Sequence, residues 1–89
     1  MKPPTNINIT TSGNNVTVTW TLPGESETNT YLEIHSPARR EKYEYVKQPL
    51  SSYAIILTSC KKYRLDMQCT APNERRSKMV KKTFWVTGK

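Results

Sequence analysis

The chain has 89 residues, of which 35% are hydrophobic, 9% aromatic and 24% charged. That length allows one domain, residues 1–89, and leaves little material for a catalytic cleft once a core is built, so an enzyme is not expected. No run of about 18 apolar residues is present to span a membrane, and despite a mean hydropathy of −0.73 the apolar residues fall in ordered runs, unlike a disordered chain.

Charge is distributed unevenly. Fourteen Lys and Arg against seven acids give +7 and an isoelectric point near 9.7. Residues 1–57 hold five bases and five acids, whereas residues 58–89 hold nine bases against Asp66 and Glu74. The whole excess is therefore a patch in the last third, suited to an anionic partner.

Met1-Lys2-Pro3-Pro4 has no leader pattern and reads as the front of a module excised from a larger protein, whose neighbouring domains it would contact. Next come apolar residues at period two, which places alternate side chains on one face of a strand. Ile7 and Ile9 alternate with Asn and Thr, and Val16, Val18 and Trp20 alternate with Thr17 and Thr19. Leu32 and Ile34 form a third run, and Tyr43 and Tyr45 a fourth. Residues 53–57 form a short β-rich run of unfixed parity, and Tyr63, Leu65, Met67 and Cys69 make the cleanest strand. Thr83-Phe84-Trp85-Val86-Thr87 is the last.

Turn residues separate the runs at Ser12-Gly13-Asn14, Leu22-Pro23-Gly24, Ser36-Pro37, Gln48-Pro49 and Ala71-Pro72-Asn73. Seven short strands at this spacing predict an all-β fold, a seven-stranded antiparallel sandwich or small barrel. Val80, Lys82, Phe84 and Val86 share one parity, so a bulge at Lys81-Lys82 is expected, to turn both lysines outward. The expected core is Ile7, Ile9, Val16, Val18, Trp20, Leu32, Ile34, Leu57, Tyr63, Leu65, Met67, Phe84 and Val86.

Several short motifs resemble a fibronectin type III domain. Pro3-Pro4, Thr17-Val18-Thr19-Trp20 and Pro23 are similar to that family's opening. Leu57-Thr58-Ser59-Cys60-Lys61-Lys62-Tyr63-Arg64-Leu65-Asp66-Met67 is similar to its E–F corner and F strand. There a Leu six residues before a Tyr closes the bottom of an immunoglobulin-like sandwich, and the Tyr hydroxyl bonds backbone upstream. The departures are Ser59 in place of the corner's usual Pro, and Cys60 where a small or polar turn residue is commoner. The resemblance covers nearly the whole chain. It implies a binding module of an extracellular or cell-surface protein, one of several in tandem, without naming the partner.

Within that frame Cys60 lies before the F strand and Cys69 near its far end. The six residues from Tyr63 to Cys69 separate them by about 20 Å, too far for the bond a disulfide needs. They are expected to be unpaired with each other, leaving open a partner for Cys60 outside the segment. Asn8-Ile9-Thr10 and Asn15-Val16-Thr17 are N-glycosylation sequons with both asparagines on outward parity, which favours a secreted or surface glycoprotein. With one His, zinc lacks ligands, and neither metal nor cofactor is expected.

Lys61, Lys62 and Arg64 on the F strand, Arg75, Arg76 and Lys78 on the F–G loop, and Lys81 and Lys82 on the G strand would form one cationic stripe. Such a stripe suits an acidic protein ligand or a heparan-sulfate-like glycan, although lysines also protect an edge strand from aggregation. Nucleic acid is disfavoured because few aromatics interleave with these bases at outward parity. Tyr31, His35, Tyr43 and Tyr45 are candidates for a protein interface on the neighbouring strands. His35 has no Ser, Cys or carboxylate placed by the sequence to make it a catalytic base. The F–G loop, Asn73-Glu74-Arg75-Arg76-Ser77, lacks the Arg-Gly-Asp of integrin-binding members, and no Trp-Ser-x-Trp-Ser motif is present. The function expected is adhesion or receptor recognition, with a passive spacer or an intracellular interaction module as alternatives.

Overall fold

Alternation of Val16, Val18 and Trp20 with threonines builds a strand buried on one face, and the same rule operates along most of the chain. The computed structural model describes residues 1–24, 28–73 and 75–89; Glu25, Glu27 and Glu74, counted above in the charge and loop readings, lie with Ser26 outside the described residues. The strands are β1 (Thr5–Ser12), β2 (Asn15–Thr21), β3 (Asn29–His35), β4 (Arg40–Val46), β5 (Ser52–Ile56), β6 (Lys61–Thr70) and β7 (Val80–Val86). They pair antiparallel as a three-stranded sheet, β1-β2-β5, and a four-stranded sheet, β4-β3-β6-β7. The all-β sandwich expected from the spacing of the runs is the fold observed.

The two inner faces meet in one apolar core. Val16, Val18 and Trp20 face Leu32, Ile34, Tyr63, Leu65, Met67 and Val86, with Ile7, Ile9 and Phe84 partly buried against them. Val46 joins the core although the sequence pattern did not single it out. In β5 the unfixed parity resolves: Tyr53 and Ile55 pack inward, while Ile56 is 74% exposed. Polar groups taken inside keep partners, as where the Trp20 indole donates to Thr30 Oγ1 at 3.0 Å.

The bottom of the sandwich is closed by the Leu57–Tyr63 corner. The Tyr63 hydroxyl donates to the Thr58 carbonyl at 3.1 Å and accepts from the Thr58 N–H at 3.2 Å. Cys60 sits in the left-handed region at φ 61, which accounts for a site where a small turn residue is usual. Its N–H bonds the Val86 carbonyl, tying the corner to β7.

The bulge expected at Lys81-Lys82 does not form. β7 runs in unbroken register along β6, from Lys61↔Val86 to Met67↔Val80. Lys82 therefore stands opposite Leu65 at core-facing parity, yet it is exposed. An edge position and a four-carbon stem let its ammonium reach water past the rim of the sandwich.

Charge separates between the sheets. β1, β2 and β5 contain no Lys, Arg, Asp or Glu, while β3, β4, β6 and β7 all do.

Candidate functional site

Residues directly opposite in an antiparallel pair point to the same side of a sheet. On the outer face of the four-stranded sheet this rule makes cross-strand rows. Tyr45, Tyr31 and Gln68 form one, and Tyr43, Glu33, Asp66 and Lys81 the next. His35, Arg64 and Thr83 follow, then Lys62 opposite Trp85. Lys62, Arg64 and Lys81 of the cationic stripe thus share one surface with the tyrosine cluster.

Its centre is an ion-pair network. Arg64 forks onto Asp66, with Nε–Oδ1 2.8 Å and Nη2–Oδ2 3.0 Å. His35 Nε2 lies 2.7 Å from Glu33 Oε1 and 3.6 Å from Asp66 Oδ2. Glu33 also accepts from the Tyr31 hydroxyl and lies 3.6 Å from Arg40. The Tyr31 bond, with help from His35 and Arg40, holds the Glu33 carboxyl below its usual range. Burial, then the hydrogen bond and charge of Glu33, push the Tyr31 phenol up to about 12. Both shifts keep the shared proton on Tyr31 and the negative charge on Glu33.

Glu33, His35 and Asp66 each offer one ligand atom, all within 4.8 Å of one another. The count of histidines had overlooked these carboxylates. In this arrangement Asp66 gives both oxygens to the Arg64 fork and Glu33 is held by Tyr31, His35 and Arg40, so the donors are spent on a structural network. A cation could enter only by displacing Arg64.

Around that neutralised centre lie exposed groups. Tyr43 is 54% exposed, Tyr45 56% and Trp85 59%. Arg40 covers the Tyr43 ring at 4.6 Å, a cation–π contact. Lys62, Lys81 and Arg76 are exposed, and Arg76 reaches Gln68 Oε1 at 3.4 Å. Beside them runs a shallow groove of about 240 Å³, lined in part by His35, Pro37, Lys62 and Arg64.

Several expectations change. Tyr31 is not an exposed anchor: it is buried under Tyr45, whose ring centroid is 4.7 Å away. The stripe is not one surface, because Lys61 and Lys82 share parity with Tyr63 and Leu65, and Lys61 acts electrostatically on Glu41 instead. Arg64 is committed to Asp66, and Arg75 and Lys78 are exposed on the β6–β7 connection. Among the bases of β6 and β7 one outward aromatic is present, Trp85 across from Lys62. Asn8 and Asn15 are exposed on the charge-free sheet, far in topology from this face. Cys60 and Cys69 are not joined by a disulfide, the first being exposed and the second buried.

Glu33, Arg40, Asp66 and Trp85 are the members that sequence reasoning missed. Their signal was the every-second-residue spacing Tyr31-x-Glu33-x-His35 and Lys62-x-Arg64-x-Asp66, readable only once the pairing of β3 with β6 is known.

No family model matches the chain, and no curated protein is similar to it in sequence. Solved structures are similar in fold. The fn3 domain of the human collagen alpha-1(XX) chain matches 99% of this chain and 87% of its own, at 22% identity and a TM-score of 0.82. A computationally redesigned β-sandwich protein matches 100% of this chain and 93% of its own, at 18% identity and a TM-score of 0.86. Domains d3–d4 of the rat CD45 extracellular region match 94% of this chain and 49% of theirs, at 19% identity and 0.80. Together with the Leu57–Tyr63 corner and the three-plus-four strand arrangement, these likenesses show that the chain has the fold of a fibronectin type III domain.

Proposed function

We propose that this chain is a non-enzymatic recognition module of an extracellular protein, binding an acidic protein surface through the outer face of its four-stranded sheet. The observation that carries this reading is the composition of the exposed part of that face. Tyr43, Tyr45 and Trp85 stand out from the sheet together with Arg40, Lys62, Arg76 and Lys81. Aromatics and arginine dominate the energetic centres of protein interfaces, because they bury large rigid area while their polar ends find partners. Cations at the rim steer an acidic partner and set its orientation. The extracellular placement is supported by the fold shared with collagen and CD45 domains and by the two sequons on exposed strands.

A sulfated glycan is the second reading, favoured by Lys62, Lys81 and Arg76 lying on one side of the face. The two separate by experiment. Heparin resin is compared with a plain sulfonate exchanger, using wild type, a Lys62→Glu/Arg76→Glu/Lys81→Glu variant and a Tyr43→Ala/Tyr45→Ala/Trp85→Ala variant. The same proteins, displayed on beads, are tested for adhesion to cell surfaces. Recognition of protein requires both variants to lose adhesion while heparin elution matches the sulfonate exchanger. Later elution from heparin, lost only in the charge variant, selects the glycan. Adhesion unchanged in both variants rejects the face altogether and leaves a spacer.

A further inference from the structure

The charge-free sheet ends in a strand whose free edge is built for pairing, on a surface separate from the face above. We propose that β5 is a self-association edge: a second copy of this chain adds its own β5 antiparallel across a two-fold axis at Ala54. The two three-stranded sheets then become one sheet of six.

β5 is bonded on one side only, to β2. The Leu57 N–H donates to the Asn14 carbonyl, and the Ser51 carbonyl accepts from the Trp20 N–H. In an antiparallel strand N–H and C=O of one residue point the same way and alternate along the chain. Odd-numbered residues from Ser51 to Leu57 therefore turn their backbone groups toward β2, and Ser52, Ala54 and Ile56 turn theirs outward. Antiparallel pairing about Ala54 sets that residue against itself and Ser52 against the partner's Ile56. Every outward N–H and C=O of β5 then has a counterpart.

Side chains fit the same arrangement. Tyr53 and Ile55 are held in the core, so Ser52, Ala54 and Ile56 occupy the outer surface. Ala54, at the axis, is small enough for close approach by its own copy. Ile56, 74% exposed, gains cover along the diagonal from the partner's Ala54.

The other three sheet edges are guarded, and this one is not. β1 follows Pro3-Pro4, carries the left-handed Asn6 at φ 52 and has a register shift between Thr5 and Asn8. β4 carries Arg40, Glu41, Lys42 and Glu44, and β7 carries Lys81 and Lys82. Proline, bulges and charge are the usual defences of an edge. β5 has none of them, and no charged residue occurs from Gln48 to Cys60. Glu44, which acts electrostatically on Tyr53 from β4, is paired with Lys42 at 4.0 Å.

Charge also selects the occupant. Two molecules of net charge +7 repel wherever their four-stranded sheets meet, but the three-stranded sheets contribute no charge to oppose contact. The acids nearest this edge, Glu41 beside Ile55 and Ile56 and Glu44 near Tyr53, are paired with Arg39 and Lys42, so the uncharged strand of a second copy matches it better than a strongly charged foreign strand. Five residues make a small interface, so the association belongs to the weak, transient class.

The test uses the 89-residue chain in sedimentation equilibrium from about 10 μM to 1 mM, with trapping by a disulfide. In a Cys60→Ser background, Ala54→Cys places two thiols across the axis, where opposed Cα atoms of a hydrogen-bonded pair are about 5.5 Å apart, within bonding range. Thr10→Cys, exposed on β1, is the control. Mass should rise with concentration, and A54C should cross-link at least ten-fold faster than T10C. Adding Ile56→Lys, or replacing Ala54 by Pro in the uncross-linked assay, should abolish association with cooperative unfolding retained. A54P removes an outward N–H and none of the bonds to β2, and retained cooperative unfolding checks that the strand accepts the fixed φ of proline. A monomer throughout, or cross-linking no faster than T10C, overturns the proposal. So does association that survives I56K, since it must use another surface.

Discussion

Arg64 and Asp66, two residues apart on the same face of β6, are joined by two hydrogen bonds of 2.8 and 3.0 Å. Asp66 is 4% exposed and Arg64 covers it from the solvent side. The most basic strand therefore spends one of its cations on neutralising a buried acid beside Glu33.

Removing that cover strands the acid. Arg64→Ala should lower stability by about 1–3 kcal/mol, because a buried carboxylate loses its charged donors. Lys62→Ala, two positions earlier and exposed, should stay within about 0.5 kcal/mol of wild type. Urea unfolding of both variants gives the comparison. Equal losses would show that the fork contributes nothing beyond ordinary surface charge. For the same reason Arg64 should be left out of any variant meant to probe the cationic face without harming the fold.

The Tyr63 hydroxyl serves the Thr58 backbone twice, as donor and as acceptor. Tyr63→Phe keeps the ring against Phe84, whose centroid is 5.8 Å away, but leaves a part-buried N–H and carbonyl unpaired. A loss of about 1–3 kcal/mol is expected, read from the urea midpoint at unchanged slope. A neutral result would mean that water replaces the hydroxyl without cost.

Stability should fall on both flanks of the pH range. Glu33 has a folded pKa depressed below its ordinary 4.5, so its contribution is complete above that value and is lost as pH drops through the folded pKa. Tyr31 is raised from 10.0 to about 12, so its contribution is complete below pH 10 and is lost as pH climbs toward 12. Tyr31→Phe should reduce the alkaline loss. It should also shift the acid flank upward, because Glu33 loses the hydrogen bond that most lowers its pKa. Urea midpoints from about pH 3 to 11 measure both flanks. An acid flank that does not move would show the Tyr31–Glu33 bond to be absent in solution.

Gly88 is constrained from two sides. Its φ is 82, and an added Cβ would lie 2.8 Å from Ser59 Cβ. Gly88→Ala should therefore cost at least about 1 kcal/mol, measured by thermal unfolding. Gly13, at φ 61 but with open space around the added Cβ, bears only the backbone strain, so Gly13→Ala should cost less.

The strands and core were legible because alternation is a local signal. Val16, Val18 and Trp20, or Tyr63, Leu65 and Met67, declare their inward faces with no knowledge of neighbours. Residues 53–57 did not, since Tyr53, Ile55 and Ile56 are all apolar and only the ladder to β2 shows which point inward. Lys82 misled for the opposite reason. Its parity was read correctly, but a lysine at core parity was assumed to need a bulge, whereas an open edge lets the side chain escape. Tyr31 looked like a surface anchor because nothing in the chain says that Tyr45 and Glu33 will cover it.

Local order of residues therefore determined the seven strands, the corner at Leu57 and Tyr63 and the placing of positive charge in the last third. Those features depend on side-chain period, backbone preference and composition, all of which act over a few residues. Tertiary structure alone decided that Glu33 meets Asp66, that Lys61 and Lys82 leave the face that Lys62 and Lys81 share with the tyrosines, and that β5 is left as an uncharged edge. Each depends on strand pairing between distant segments, where sheet order and register, rather than sequence proximity, set which groups feel one another.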